Sequence, residues 1–293
     1  MKTLSNCPVC DHSQSSPFLT VKDYTVSKQD FTIVACEGCG FKYTNPRPQD
    51  SKLGLYYKSE NYISHSDTKK GIVAKLYHAV RWYALKRKLQ LVEKNVSRGT
   101  LLDYGCGTGA FAEVCFKAGW SVTGYEPDSD ARRIAVSRGI AAIGDFKEIS
   151  SKANSFDAIT LWHVMEHIPD LNEKVQQLFS FLKPEGYLFV AVPNYKSYDG
   201  EHYGAHWAAY DVPRHLSHFD QSTMKRLLMS VGFQWKSTLP MTFDSFYVSI
   251  LSEQYKTGQK ASLYKAFMSG WKSNAKAKRS GEYSSLIYIF KKS

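Results

Sequence analysis

The segment TLLDYGCGTGAFAEV, residues 100–114, constrains the fold more than any other part of the chain. An apolar run leads into Asp103, glycine recurs at Gly105, Gly107 and Gly109, and a helix-forming stretch follows. Glycines at alternate positions remove the side chains that would collide with a ligand lying against the backbone, and the N-terminus of the following helix offers unpaired N–H groups to it. From Gly99 onward short apolar runs alternate with amphipathic segments, the βαβ signature of a parallel sheet. The pattern predicts strands at 100–104, 121–126, 140–143, 157–162, 187–192, 233–239 and 284–291, and helices at 110–118, 128–138, 171–182 and 221–231. Gly119, Gly139 and Gly232 stand just past three of those helices, where a left-handed residue ends a helix at little cost. Between the last two strands, residues 243–279 read as a helical insertion.

Acidic residues fall at the ends of these strands. Glu126 closes the second, where a carboxylate accepts both hydroxyls of a ribose. Asp145 follows the third. Gly105, Gly107 and Ala110 also satisfy the Ala-ending form of the dinucleotide fingerprint, so a nicotinamide-dependent oxidoreductase stays open on these residues alone. The combination of Asp103 before the glycines, Asp145 after the third strand and a final strand reached through a long excursion resembles the class I S-adenosylmethionine-dependent methyltransferases, from about Gly99 to the end of the chain. That resemblance implies a Rossmann-like α/β fold with a seven-stranded sheet whose last strand is antiparallel and inserted beside the sixth. It implies that Asp103, Gly105, Cys106, Gly107 and Gly109 surround the methionine part of S-adenosylmethionine and that Glu126 grips the ribose. Asp145 and Phe146 would hold the adenine, and Trp162 would complete the cofactor site.

The fourth strand and its loop read SFDAITLWHVMEHIPDLNE, which clusters His163, Glu166 and His167 and resembles the histidine-rich loop at this point in many small-molecule methyltransferases. Histidine titrates near neutrality and takes a proton from a hydroxyl or a carbon acid as the acceptor attacks the sulfonium methyl group. After the fifth strand comes YGAHWAAYDVPRHLSHFDQST, a long loop of the kind that carries function at a carboxyl edge. The family resemblance places it beside the acceptor pocket. Trp207, Tyr210 and Arg214 are therefore candidate acceptor contacts, and His215 or His163 is the candidate base. His218 and Asp220 read more simply as the opening of the next helix, with Asp220 as its N-cap.

Residues 1–48 are rich in turns and poor in apolar segments, too poor to build a core unaided. Cys7-Pro-Val-Cys10 and Cys36-Glu-Gly-Cys39 supply two knuckles with the spacing of a tetrahedral zinc site, and a structural zinc would supply the missing folding energy. Cys106 and Cys115 read as small buried residues. The cysteine block, the NPRP turn and the tyrosine-rich YYKSENY resemble the zinc-binding domain that precedes the catalytic domain in a group of sugar C-methyltransferases. On that resemblance Tyr56, Tyr57 and Tyr62 line the acceptor pocket. The chain thus divides into a zinc-ribbon-like four-cysteine domain at 1–48, a linker with an amphipathic helix at 49–98, and a methyltransferase domain at 99–293.

Charge bears on the partner. The net charge is +11, and Lys69–Arg98 and Lys256–Lys292 each hold nine Lys or Arg against one acid. Two basic flanks suit an anionic acceptor such as a sugar nucleotide, or alternatively RNA bound by the zinc module and basic helix. The lack of basic residues around the cysteines disfavours the RNA reading. No apolar run approaches the ~20 residues that cross a bilayer, and the polar N-terminus lacks the h-region of a secretory signal, so a cytoplasmic enzyme without a membrane partner is expected. The sequence leaves the acceptor, the atom methylated and the oligomeric state open.

Overall fold

The computed structural model describes residues 1–57, 72–150, 152–259 and 261–293. Its N-terminal block holds three antiparallel strands, β1 (Ser15–Lys22), β2 (Asp30–Cys36) and β3 (Lys42–Thr44), followed by a 3-10 turn at Asp50–Tyr57. Helix α1 (Ile72–Asn95) leads into the large sheet and buries Leu89 and Val92 against it.

The sheet begins with β4 (Thr100–Tyr104), α2 (Ala110–Lys117), β5 (Ser121–Tyr125), α3 (Ser129–Ser137) and β6 (Ala141–Ile143). A one-turn helix α4 (Lys147–Ser150), β7 (Phe156–Trp162), α5 (Leu171–Phe181) and β8 (Leu182–Pro193) follow. Beyond them lie α6 (Tyr198–Tyr203), β9 (Ser217–His218), α7 (Gln221–Met229), β10 (Phe233–Pro240), α8 (Asp244–Thr257), α9 (Leu263–Ser280) and β11 (Ser285–Lys292). The seven strands lie in the order β10-β11-β8-β7-β4-β5-β6, with β11 antiparallel to both neighbours. This is the sheet that the resemblance implied.

Both faces of the central strands β4, β7 and β8 are covered, which is why these read as nearly continuous apolar runs. Successive residues go to opposite sides: Leu102, Ile159 and Val190 join one core, while Leu101, Ala158 and Phe189 join the other. Gly119, Gly139 and Gly232 have φ of +95°, +84° and +108°, the left-handed conformation expected past a helix end. One strand boundary differs from expectation by more than two residues. Strand β8 starts at Leu182 rather than 187, because Leu182 already pairs with Phe156 ahead of a register shift.

The N-terminal strands are fastened to the catalytic part. β3 pairs with the two-residue β9, which the sequence did not announce, and Thr44 N–H donates to the Leu216 carbonyl at 3.0 Å. Cys7, Val9, Phe41 and Tyr43 enter the same core as Leu188, Val190 and Val192. Helices α8 and α9 occupy most of the expected insertion and pack against each other. Among the described residues, no helix is long and apolar enough to cross a membrane.

Candidate active site

The glycine loop sits at the carboxyl edge between β4 and α2. Gly105, Gly107 and Gly109 have φ of +74°, +53° and +76°. They do different jobs. A Cβ on Gly105 would lie 2.5 Å from the Val164 side chain and one on Gly109 2.9 Å from Ala135, so these two glycines permit close packing. A Cβ on Gly107 would meet nothing within 4 Å. Gly107 therefore borders open space, as a ligand cradle requires. Its N–H donates to Glu126 Oε2 at 2.9 Å, and Glu126 Oε1 accepts from Asp128 N–H at 2.9 Å, so the carboxylate expected to take a ribose is tied to the loop. Burial raises its pKa.

Asp103 is buried and accepts from Thr160 Oγ1 at 2.8 Å. Burial pushes its pKa up to about 6, against the pull of the Lys88 ammonium from α1. That ammonium lies 4.4 Å from the ring centre of Trp162, whose buried Nε1–H has no partner among the described residues. Cys106 is buried with its Sγ where a Cβ on Gly124 would fall. Asp145 is exposed and its Oδ1 accepts from Lys147 N–H at 2.9 Å. Phe146 packs on Tyr104, Tyr125 and Phe181, with the Lys174 ammonium 3.3 Å from its ring centre.

The contact of Gly105 with Val164 brings the loop after β7 against the glycine turn. Here His163 is left-handed, with φ of +57°, and bridges two carboxylates: Nε2 lies 3.0 Å from Asp244 Oδ2 and Nδ1 3.4 Å from Glu166 Oε1. Burial disfavours the imidazolium, but Asp244 and Glu166 outweigh it and raise the pKa to about 9. His163 is thus protonated at neutral pH, the wrong state for a base. Burial, reinforced by His215, instead pushes His167 down to about 4. Its Nδ1 lies 3.1 Å from the Arg214 carbonyl and 2.9 Å from the Tyr57 hydroxyl. His215 is nearly buried, with Nδ1 2.8 Å from the Ala209 carbonyl and its ring 4.6 Å, edge-on, from that of His167.

Three expected acceptor contacts are placed differently. Trp207 and Tyr210 are 2% and 3% exposed and pack in the core beneath the loop. Trp207 Nε1–H donates to the buried Asp199, which also accepts from Ser273 and Ser284, so the indole serves an internal network. Large aromatic area is more stabilising inside than at a rim, which overrides the expectation drawn from loop position. Arg214 is 3% exposed, its Nε 2.8 Å from Asp211, with a second guanidinium contact to the same carboxylate. Its Nη1 donates to the Tyr56 carbonyl at 3.0 Å and lies 3.7 Å from Asp23. That positive charge is engaged within the protein and is not free for an anionic acceptor. Tyr56 meets Phe31 edge-on, Tyr57 reaches His167, and Tyr62 lies outside the described residues. Asp220 caps α7 in a capping box and His218 contacts Thr44 at 3.1 Å, both structural. Sequence reasoning missed Lys88, Thr160, Asp211 and Asp244. Only Asp211 carried a signal, four residues before His215 in the loop already singled out.

At the other end of the chain the four thiols converge. Cys7 and Cys39 Sγ are 3.7 Å apart, Cys10 and Cys36 3.5 Å, and all four lie within 4.8 Å of one another. A tetrahedron of ~2.3 Å zinc–sulfur bonds has edges of about 3.8 Å, so the donor set fits that ion.

Comparison with known proteins decides the class. Residues 77–238, more than half of the chain, match the methyltransferase domain family. The chain belongs to that family. It is an S-adenosylmethionine-dependent class I methyltransferase, which removes the oxidoreductase reading. A ubiquinone biosynthesis O-methyltransferase of Actinobacillus pleuropneumoniae is 33% identical over 41% of this chain and 58% of its own length, so this chain spans less than two thirds of that relative. In fold the methyltransferase resembles a protein from Galdieria sulphuraria provisionally named a sarcosine dimethylglycine methyltransferase, with 17% identity, TM-score 0.53, and 83% and 99% of the two chains covered. An S-adenosylmethionine-dependent methyltransferase from Archaeoglobus fulgidus is likewise similar, with 19% identity, TM-score 0.50, and 72% and 94% covered.

Proposed function

We propose that the protein transfers the methyl group of S-adenosylmethionine to a small hydroxylated or carbonyl-bearing acceptor, such as a sugar nucleotide, held at Glu166, His167, His215 and Tyr57. The observation that carries this reading is the packing of Gly105 on Val164, which sets the open glycine cradle directly beside the histidine cluster. Asp103 and Gly107 meet the methionine part of the donor and Glu126 its ribose. Trp162, Asp145 and Phe146 complete that site. The acceptor approaches from the cluster, so that its nucleophilic atom faces the methyl carbon. Much of the rate then comes from alignment, since in-line displacement needs the reacting atoms in near contact. The curated relative is named for an O-methylation in ubiquinone biosynthesis, which supports a small-molecule acceptor over RNA.

His215, rather than His163, drives loss of the acceptor's proton. The Ala209 carbonyl can only accept, so His215 Nδ1 carries hydrogen, and in the neutral ring it is Nε2 that holds the lone pair. His163 has no such free pair between its two carboxylates and acts by orienting Glu166. A structural zinc on Cys7, Cys10, Cys36 and Cys39 holds the N-terminal block, and the enzyme works in the cytoplasm. The test is turnover of His215→Asn and His163→Asn with a radiolabelled methyl donor across a metabolite panel. His215→Asn should lose about 10²–10⁴-fold in kcat, the range for positioned proton transfer, with cofactor affinity retained. A larger defect in His163→Asn with His215→Asn near normal would move the role to the β7 loop.

A further inference from the structure

We infer that Glu166, His167 and His215 form a binding site for one divalent transition-metal cation, separate from the four-cysteine site. One donor atom from each of the three residues lies within 4.8 Å of the other two. The orientation of both imidazoles is that of metal ligands. Nδ1 of His215 points to the Ala209 carbonyl and Nδ1 of His167 to the Arg214 carbonyl, at 2.8 and 3.1 Å. Carbonyls only accept, so in the neutral rings Nδ1 of His215 carries hydrogen and Nε2 the lone pair, and the same tautomer of His167 donates Nδ1–H to the Arg214 carbonyl with the Tyr57 hydroxyl as a second acceptor. Metal-bound histidines are held this way, with the distal N–H donated to a carbonyl or carboxylate. Tyr57, 2.9 Å from His167 Nδ1, adds a second group to that outer shell.

Glu166 supplies the charge. It is 1% exposed, and neither of its buried oxygens accepts an aligned hydrogen bond among the described residues. Its approach to His163 Nδ1, at 3.4 Å, is an ion pair alone. Leaving a buried carboxylate with no aligned hydrogen bond is costly, and the two imidazole lone pairs add no proton donor to the 3.4 Å ion pair with His163. A cation satisfies all three groups together. The neighbouring Asp211 carboxylate, 3.9 Å from His215 Nε2, is engaged by Arg214 and stays in the outer shell.

Two imidazoles and one carboxylate suit zinc, cobalt, manganese or iron(II), and three protein ligands leave coordination positions open. Resting on the proposed acceptor site, those positions take the acceptor's oxygen atoms, and the cation lowers the cost of removing a hydroxyl proton. His215 thus acts on the acceptor through the cation.

The experiment uses the full chain with zinc already on the four cysteines, titrated with Co²⁺ and followed by visible absorption and calorimetry. One further equivalent is expected, with weak ligand-field bands and no sulfur-to-cobalt charge transfer. Glu166→Gln and His167→Gln should each weaken that equivalent by more than the roughly 10–100-fold that losing an outer-shell partner costs. S-adenosylhomocysteine affinity, measured on the same samples, reports folding and the cofactor site independently of the metal. Absence of a second equivalent in the wild type overturns the inference, as does its retention in a variant that still binds S-adenosylhomocysteine. If Glu166→Gln does not fold, His167→Gln decides.

Discussion

At the scale of single residues, the three glycines of the cofactor turn are not equivalent. Gly107 alone among them faces open space, so Gly107→Val, strained by its φ of +53° but free of any clash, should abolish S-adenosylmethionine binding in a protein that still folds. Gly109→Val, by contrast, should unfold it by driving a side chain into Ala135. Circular dichroism with calorimetric titration checks both, and a folded Gly107→Val of normal affinity would dismiss the assignment. His163 makes a different prediction. Its pKa is raised in the fold from 6.5 to about 9 despite burial, by Asp244 and Glu166. A group so raised contributes stability that is complete below pH 6.5 and lost as pH climbs toward 9. The melting temperature of the wild type should therefore fall across that interval, and His163→Gln should flatten the fall. Equal declines in the two proteins would show that the ion pair does not form in solution. What the sequence made legible here was the chemistry of residue types at strand ends, namely Asp103, Glu126 and the histidines. It did not reveal which partners they keep. Asp244 reaches His163 from 81 positions along the chain, a distance no local pattern encodes.

At the scale of elements, alternation of apolar runs and glycine stops located every strand of the large sheet, most plainly the parallel strands β4, β7 and β8, whose burial on both faces leaves an unambiguous apolar signal. The N-terminal strands and β9 were not anticipated. β9 is two residues long and exists only because β3 lies beside it, a pairing set by tertiary contact. The burial of Trp207 and Tyr210 was hidden for a related reason, since a long aromatic loop looks the same in sequence whether its rings face a ligand or a core. The β3–β9 pairing also ties the four-cysteine block to the acceptor cluster. Thr44 Oγ1 donates to the His215 carbonyl at 2.9 Å, next to the strand contact. Removing the metal from the cysteines should loosen β1–β3 and with them the backbone at His215. Metal analysis should find zinc in the purified protein and a loss of it in a Cys36→Ser/Cys39→Ser variant. That variant should keep most of its cofactor affinity while kcat falls. Full zinc retention, or unchanged turnover after its loss, would contradict this.

At the scale of the whole molecule, the proposed donor and acceptor sites lie on opposite sides of one crossing point. The glycine turn and Glu126 occupy the edge near β4 and β5, and the histidines come from β7 and the excursion after β8. Gly105 against Val164 is where the two halves touch. The central claim is that this edge binds S-adenosylmethionine through Gly107 and Glu126, and titration calorimetry with S-adenosylmethionine tests it most directly. The account predicts one cofactor per chain for the wild type and, for Glu126→Ala, a loss of about 1.5–3 kcal/mol, the range for hydrogen bonds to a charged group. No binding by the wild type, or an unchanged affinity in folded Glu126→Ala, would contradict it.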